Sequence, residues 1–239
     1  MSQLILIRHG QAAAFTADSD RLTELGRRQA EKVGEHFLSR GLKLDEVHTG
    51  TLNRQLESER IAAAAYEHAG VPWPEPKRAA GWNEYDAGAI LGKLGPVLAE
   101  RDARYAALMN DYRVHSESKD RNRYFQRMLE TVMEHWIAGE LAADGVETFA
   151  AFHARVSAVR DAILDAEGSR TVAVFTSGGP IGACVQLALQ APPRMAVHLN
   201  WRVKNGSLTE FVFSSSKRLS LDCFNACPHL TSADLQSFR

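Results

Sequence analysis

Leu4-Ile5-Leu6-Ile7-Arg8-His9-Gly10-Gln11 decides the reading of this chain. The aliphatic run from Leu4 to Ile7 fits a strand buried on both faces. It stops abruptly at a cation, an imidazole and a glycine. In an open parallel sheet, ligands bind outside the carboxyl ends of the strands. A histidine there can attack phosphorus while a neighbouring arginine holds the phosphate charge. A strand that merely ends in polar residues would read the same way, so other strand ends must carry the argument further.

Working outward, residues 3–8 form the first predicted strand. Thr23 is a plausible N-cap for a helix running to about Ser39. Glu46 to Thr49 is a short strand. Thr51 can cap a second helix that holds Arg54 in its first turn and ends near His68. Pro72, Pro74 and Pro76 keep the next segment out of any helix interior. From Ile90 to about Leu141 strand-like alternation disappears, which predicts two helices split near Ser116 to Lys119. We expect residues 90–144 to be a helical lid inserted in a single 1–239 domain. Its cations, from Lys93 to Arg127, are interleaved with acids and aromatics, the pattern of a solvated helix face.

Phe149, Phe152, Val156, Val159 and Ile163 recur at helical spacing within 147–166. Thr171 to Phe175 is a second buried strand, followed by Ser177-Gly178-Gly179-Pro180 and a helix from Pro180 to about Leu189. Ser207–Phe213 and Arg218–Leu221 read as a closing pair of strands. The tail from Asn225 has little pattern and is expected to be mobile. Strands alternating with helices predict a three-layer α/β/α sandwich with a mainly parallel sheet.

Bulk properties narrow the function. The 239 residues carry a net charge of −1, so no global basic field points to nucleic acid or a membrane surface. No apolar stretch approaches the roughly 20 residues of a membrane span. Charge appears early, at Arg8, which argues against a signal-like leader. Cys184, Cys223 and Cys227 have no framework spacing and fit free thiols in a reducing, cytoplasmic compartment. A homodimer is compatible with the sequence but not indicated by it.

Three strand ends are chemically loaded: Arg8-His9-Gly10, Thr49 to Arg54, and Thr176 to Pro180. Phosphoryl transfer needs an in-line nucleophile, fixed positive charge on the phosphoryl oxygens and a proton for the departing oxygen. His9 can be the nucleophile. Arg8 and Arg54 can hold the charge, Arg54 with help from a helix N-terminus. Glu84, set between the aromatics Trp82 and Tyr85, can supply the proton. Taken singly, Arg54 and Glu84 also read as ordinary surface residues.

Together these segments resemble the histidine phosphatase superfamily, the phosphoglycerate mutase-like proteins. The resemblance rests on Arg8-His9-Gly10, on Leu22-Thr23-Glu24-Leu25-Gly26-Arg27-Arg28-Gln29-Ala30, and on Arg54 in Gly50-Thr51-Leu52-Asn53-Arg54-Gln55-Leu56-Glu57-Ser58. It rests also on Glu84 in Trp82 to Gly88, and on Asn205-Gly206-Ser207-Leu208-Thr209. It implies a metal-independent phosphomonoesterase that uses no cofactor. His9 would take the phosphoryl group, Glu84 would protonate the leaving alcohol, and water would hydrolyse the phosphohistidine. The substrate implied is a small phosphorylated molecule.

One position departs from the family pattern. The family places a second histidine where this chain has Ser177. A hydroxyl can still donate to a phosphate oxygen, with Gly178 beside it, but it brings no charge. The exchange would cost about 1–2 kcal/mol, roughly ten- to thirty-fold in rate. Ser177 also reads as a plain helix N-cap. The alternative function is therefore a weak or inactive relative that binds a phosphorylated ligand or a protein partner.

Overall fold

β1 (Ser2–Arg8) is the strand that the opening run predicts, and its four aliphatic residues are all but fully buried. The computed structural model describes residues 1–13, 19–214 and 218–238. The chain divides into two compact units, Met1–Glu84 with Arg155–Arg239, and Tyr85–Ala154.

The first unit holds a six-stranded sheet. After β1 come β2 (Glu46–Thr49), β3 (Lys77–Arg78), β4 (Thr171–Thr176), β5 (Leu208–Phe213) and β6 (Leu219–Ala226), in the order β3-β2-β4-β1-β5-β6. β3, β2, β4 and β1 pair in parallel; β5 and β6 close the sheet antiparallel. The expected α/β class with a mostly parallel sheet is what forms. Side chains alternate across a strand. Ile5, Ile7, Val47, Ala173 and Phe175 therefore share one face, where they pack with Val33 and Phe37 of α1 (Glu24–Ser39) and Ala62 and Tyr66 of α2 (Asn53–His68). Leu4, Leu6, Val172 and Val174 point the other way and are equally buried. Their layer includes α8 (Gly178–Ala188), which contacts β1 and β6 and packs on α9 (Arg194–Asn200).

The second unit contains a broken series: α3 (Ala87–Ala89), a π-helical turn over Ile90–Leu94, α4 (Gly95–Arg101) and α5 (Ala103–Val114). α6 (Arg121–Ala138) follows and stops at Gly139 in the left-handed region, with φ 70°. Two long helices were the expectation here. Asp102, in an extended conformation, interrupts the first of them and caps α5 by accepting from Arg104 N. Tyr85, Trp136, Phe149 and Phe152 form an aromatic core, with ring centroids 5.2–6.4 Å apart in the five contacts among them. Lys93, Arg101, Arg104, Arg113, Lys119, Arg123 and Arg127 are exposed, as a solvated face requires, whereas Arg121 is half-buried. α7 (Phe149–Asp165) starts in this unit and runs into the first.

One element of the first unit went unread and one expectation fails. α9 gave no periodic signal, being only 7 residues long. The tail is not loose among its described residues. Ser237 O accepts from Asn205 N at 2.9 Å, and Leu235 O accepts from Gln29 Nε2 at 2.8 Å.

Candidate functional site

Parallel register brings three strand ends to one edge. Arg8 stands opposite Thr176 and Thr49 opposite Phe175. Just beyond, His9 N donates to Thr176 O at 2.9 Å and Gly50 N to Phe175 O at 3.2 Å. The loops that begin at Gly10, Gly50 and Ser177 therefore leave the sheet side by side.

Close packing explains the Arg-His-Gly and Leu-Thr segments together. A Cβ on Gly10 would overlap the Gly26 carbonyl, and one on Gly26 would overlap the Gln11 carbonyl. Two glycines thus let the end of β1 lie against the first turn of α1. Thr23 caps that helix as expected, accepting from Gly26 N at 3.1 Å. Gln29, fully buried, accepts from Gln11 N at 2.8 Å. The backbone around His9 is fixed from several sides: Gly10 N donates to Ser58 Oγ at 3.0 Å, and Asn205 Nδ2 donates to His9 O at 3.3 Å.

His9 itself is 6% exposed. Its Nδ1 lies 2.7 Å from Gly10 O, and its Nε2 lies 3.1 Å from Arg54 Nε. A carbonyl only accepts and a guanidinium only donates. These partners assign the proton to Nδ1 and the lone pair to Nε2. Burial, then the charges of Arg54 and Arg8, hold the imidazole well below its usual range, while the Gly10 carbonyl opposes them. A neutral ring with an oriented Nε2 lone pair is the form that can act as a nucleophile.

Arg54 meets His9 directly. Arg8 commits its Nη1 to two carbonyls, donating to Phe238 O at 2.9 Å and to Val203 O. Its charge still reaches His9. Ser177 stands at the N-cap position of α8 without capping it. Instead its Oγ accepts from Gln55 Nε2 at 2.8 Å, and its own proton has no acceptor among the described residues. Both side chains are almost fully buried. The α8 start is met by Glu84, whose Oε2 accepts from Gly179 N at 3.0 Å. Thr51 does not cap α2; its N donates to Asn83 Oδ1 and its Oγ1 accepts from Asn83 Nδ2, both at 2.7 Å.

Several contributors had no signal in the sequence. Arg155 of α7 donates from Nη1 to the carbonyls of Asn83 at 2.8 Å and Gly81 at 3.0 Å, so it holds the Glu84 segment. Gln55 carries Ser177, and Asp20 takes the α2 start and Arg54 Nη1. Among the described residues no group of three or more His, Cys, Asp or Glu side chains gathers as a metal site. Among the described residues no helix is long and apolar enough to cross a membrane.

The class so defined is an α/β protein with a mostly parallel sheet and a histidine–arginine pair at its carboxyl edge. Residues 4–135 and 113–226 match the profile of the histidine phosphatase superfamily (branch 1), and the chain belongs to that family. It is 36% identical over 99 residues to a phosphoglycerate mutase of Candida albicans, a match covering 39% of each chain. The chain thus spans about two fifths of the length of the curated relatives it matches first. Bacillus stearothermophilus YhfR shares the fold with a TM-score of 0.63 at 17% identity, covering 96% of this chain and 99% of that one. A phosphoserine phosphatase mutant from Entamoeba histolytica, in complex with phosphoserine, gives 0.61 at 18% identity, covering 96% and 100%.

Proposed function

We propose that this chain is a metal-independent phosphomonoesterase acting through a phosphohistidine at His9. The observation that carries the reading is the pair of contacts on one imidazole: Nδ1 on Gly10 O and Nε2 on Arg54 Nε. In the first step Nε2 forms a bond to phosphorus as the phosphorus–oxygen bond of the ester breaks. Glu84 delivers a proton to the departing alcohol oxygen. Water then attacks phosphorus, giving a proton to the Glu84 carboxylate left by the first step, the nitrogen–phosphorus bond breaks, and inorganic phosphate leaves. Arg54 and Arg8 supply positive charge. The Ser177 hydroxyl and the Gly178 end of α8 supply neutral donors. The substrate in this reading is a small phosphorylated molecule in the cytoplasm, with no nucleic acid or membrane partner.

The test is hydrolysis of an aryl phosphate with and without chelator, with quenching in alkaline detergent to trap an acid-labile, base-stable phosphoenzyme. We expect turnover and trapped phosphate in both conditions and neither in His9→Ala. Retained turnover in His9→Ala ends the proposal. Binding without turnover is the second reading. The use of Arg8 Nη1 on the Val203 and Phe238 carbonyls favours it. Strong thermal stabilisation by vanadate with no hydrolysis of any phosphomonoester would select it.

A further inference from the structure

We infer that Asp20 is a positioning residue for Arg54: it sets which edge of the guanidinium faces His9. The functional meaning of this inference rests on the phosphoryl transfer proposed above.

α2 opens with backbone N–H groups that lack helical partners, and Leu52 offers no side-chain cap. Asp20, remote in sequence, fills the gap. Its Oδ2 accepts from Asn53 N at 2.7 Å, and its Oδ1 lies 3.5 Å from Arg54 N. The same Oδ1 takes Arg54 Nη1 at 2.6 Å. The helix start therefore fixes the carboxylate, and the carboxylate fixes the guanidinium.

A guanidinium is planar and rigid, so holding one nitrogen orients the others. Nη1 points to Asp20, which leaves the opposite edge, Nε and Nη2, for His9. Nε donates to His9 Nε2 at 3.1 Å, and Nη2 makes no hydrogen bond among the described residues. That edge presents two parallel N–H donors, the arrangement that receives two oxygens of one phosphoryl group. With Nη1 released, the side chain could rotate and offer only a diffuse charge. The carboxylate also offsets part of the Arg54 charge, so deleting it loosens the geometry while strengthening the field. Asparagine removes the charge and keeps one oxygen for Nη1, while its NH2 takes the place of the oxygen that accepts from Asn53 N. Serine keeps a small polar side chain but removes both carboxylate oxygens.

The experiment uses the full chain with Asp20→Ala, Asp20→Asn and Asp20→Ser. The His9 ring nitrogens are followed by ¹⁵N NMR, and inorganic phosphate is titrated calorimetrically. In the parent we expect Nε2 to resonate as an unprotonated, hydrogen-bonded nitrogen. In Asp20→Ala it should move toward an unbonded nitrogen, and phosphate binding should weaken about tenfold, the loss of one good charge-assisted contact. Asp20→Ser should reproduce both changes, and the melting temperatures of the two variants report the lost cap on Asn53 N separately from the His9 signal. Asp20→Asn should leave the His9 signal in place and bind phosphate within about threefold of the parent, or more tightly. An unmoved His9 resonance in Asp20→Ala overturns the inference. Failure of the phosphatase reading shows separately, as a parent protein that forms no phosphohistidine, and leaves the resonance test decisive.

Discussion

Arg54 Nε donates a hydrogen bond to His9 Nε2 at 3.1 Å, on the ring nitrogen that carries the lone pair. The guanidinium thus rests where an incoming phosphorus would have to come. On phosphoryl binding the Arg54 N–H would keep its proton and redirect its hydrogen bond from His9 Nε2 to a phosphoryl oxygen, exchanging a neutral acceptor for a charged one. The same contact keeps the imidazole neutral before substrate arrives.

The pH dependence of kcat/KM follows from that neutrality. The folded pKa of His9 lies well below 6.5, with burial as the first cause and Arg54 as the second. We expect the acidic limb of kcat/KM to fall below pH 6.5, since this profile reports the free enzyme. Arg54→Gln removes a positive neighbour and should move the His9 titration upward. An acidic limb centred above pH 6.5 in the parent contradicts the assignment.

Arg54→Lys keeps the charge and loses the planar edge. By analogy with removal of one preorganised donor, kcat/KM should fall by about 10²-fold. Steady-state kinetics on an aryl phosphate measures it. A loss of less than about threefold would mean that Arg54 acts as a point charge only.

The Gln55–Ser177 pair predicts an asymmetric result. Ser177→His alone puts a larger ring against a buried amide. Overpacking of this kind should destabilise the fold by about 1–3 kcal/mol. Combined with Gln55→Ala, which opens the space, Ser177→His should raise turnover by about tenfold through a charge-assisted donor. Kinetics and urea melts of both single variants and the double variant give the coupling directly. Equal turnover in all of them would place residue 177 outside the reacting group's reach.

Acid should unfold the first unit in two overlapping stages. His229 is buried and neutral, donating from Nε2 to Gly206 O at 2.9 Å, and burial, then the neighbouring His36, lower its pKa to about 4. Its folded pKa lies below its unfolded one, so its contribution is complete above about pH 6.5 and is lost as pH falls toward 4. At about 1.4 kcal/mol per unit, that window is worth roughly 3 kcal/mol. Glu46 receives Lys77, His48 and Arg170, and these hydrogen bonds outweigh the opposing burial to bring it to about 2. Its contribution is present above about pH 4.5 and disappears on the way to 2. Urea unfolding measured from pH 7 to 3 checks both. His229→Gln, which can still donate to Gly206 O, should flatten the upper stage; an unchanged slope would exclude His229 as its source.

Gly26→Ala should be costly despite improved helix propensity. The new Cβ meets the Gln11 backbone, which cannot move without displacing the segment that follows His9. We expect destabilisation of about 1–3 kcal/mol together with lost activity. A variant more stable than the parent would show that the approach of β1 to α1 is looser than described.

The sequence by itself determined the local elements and the strand ends that carry polar residues. The aliphatic run at Leu4–Ile7 has no stable alternative to a buried strand, and Thr23 with Gly26 and Gln29 writes the start of α1. Such signals are local, because a strand or a cap depends on residues a few positions apart. Only the tertiary structure decided what reaches His9. Asp20 finds Arg54 across 34 positions and Gln55 finds Ser177 across 122. Arg8 turns to Phe238 across 230, and the tail that looked patternless is held by Asn205 and Gln29. A hydrogen bond between distant residues leaves no periodicity behind, since it depends on where the sheet and helices bring the chain and not on its neighbours along it.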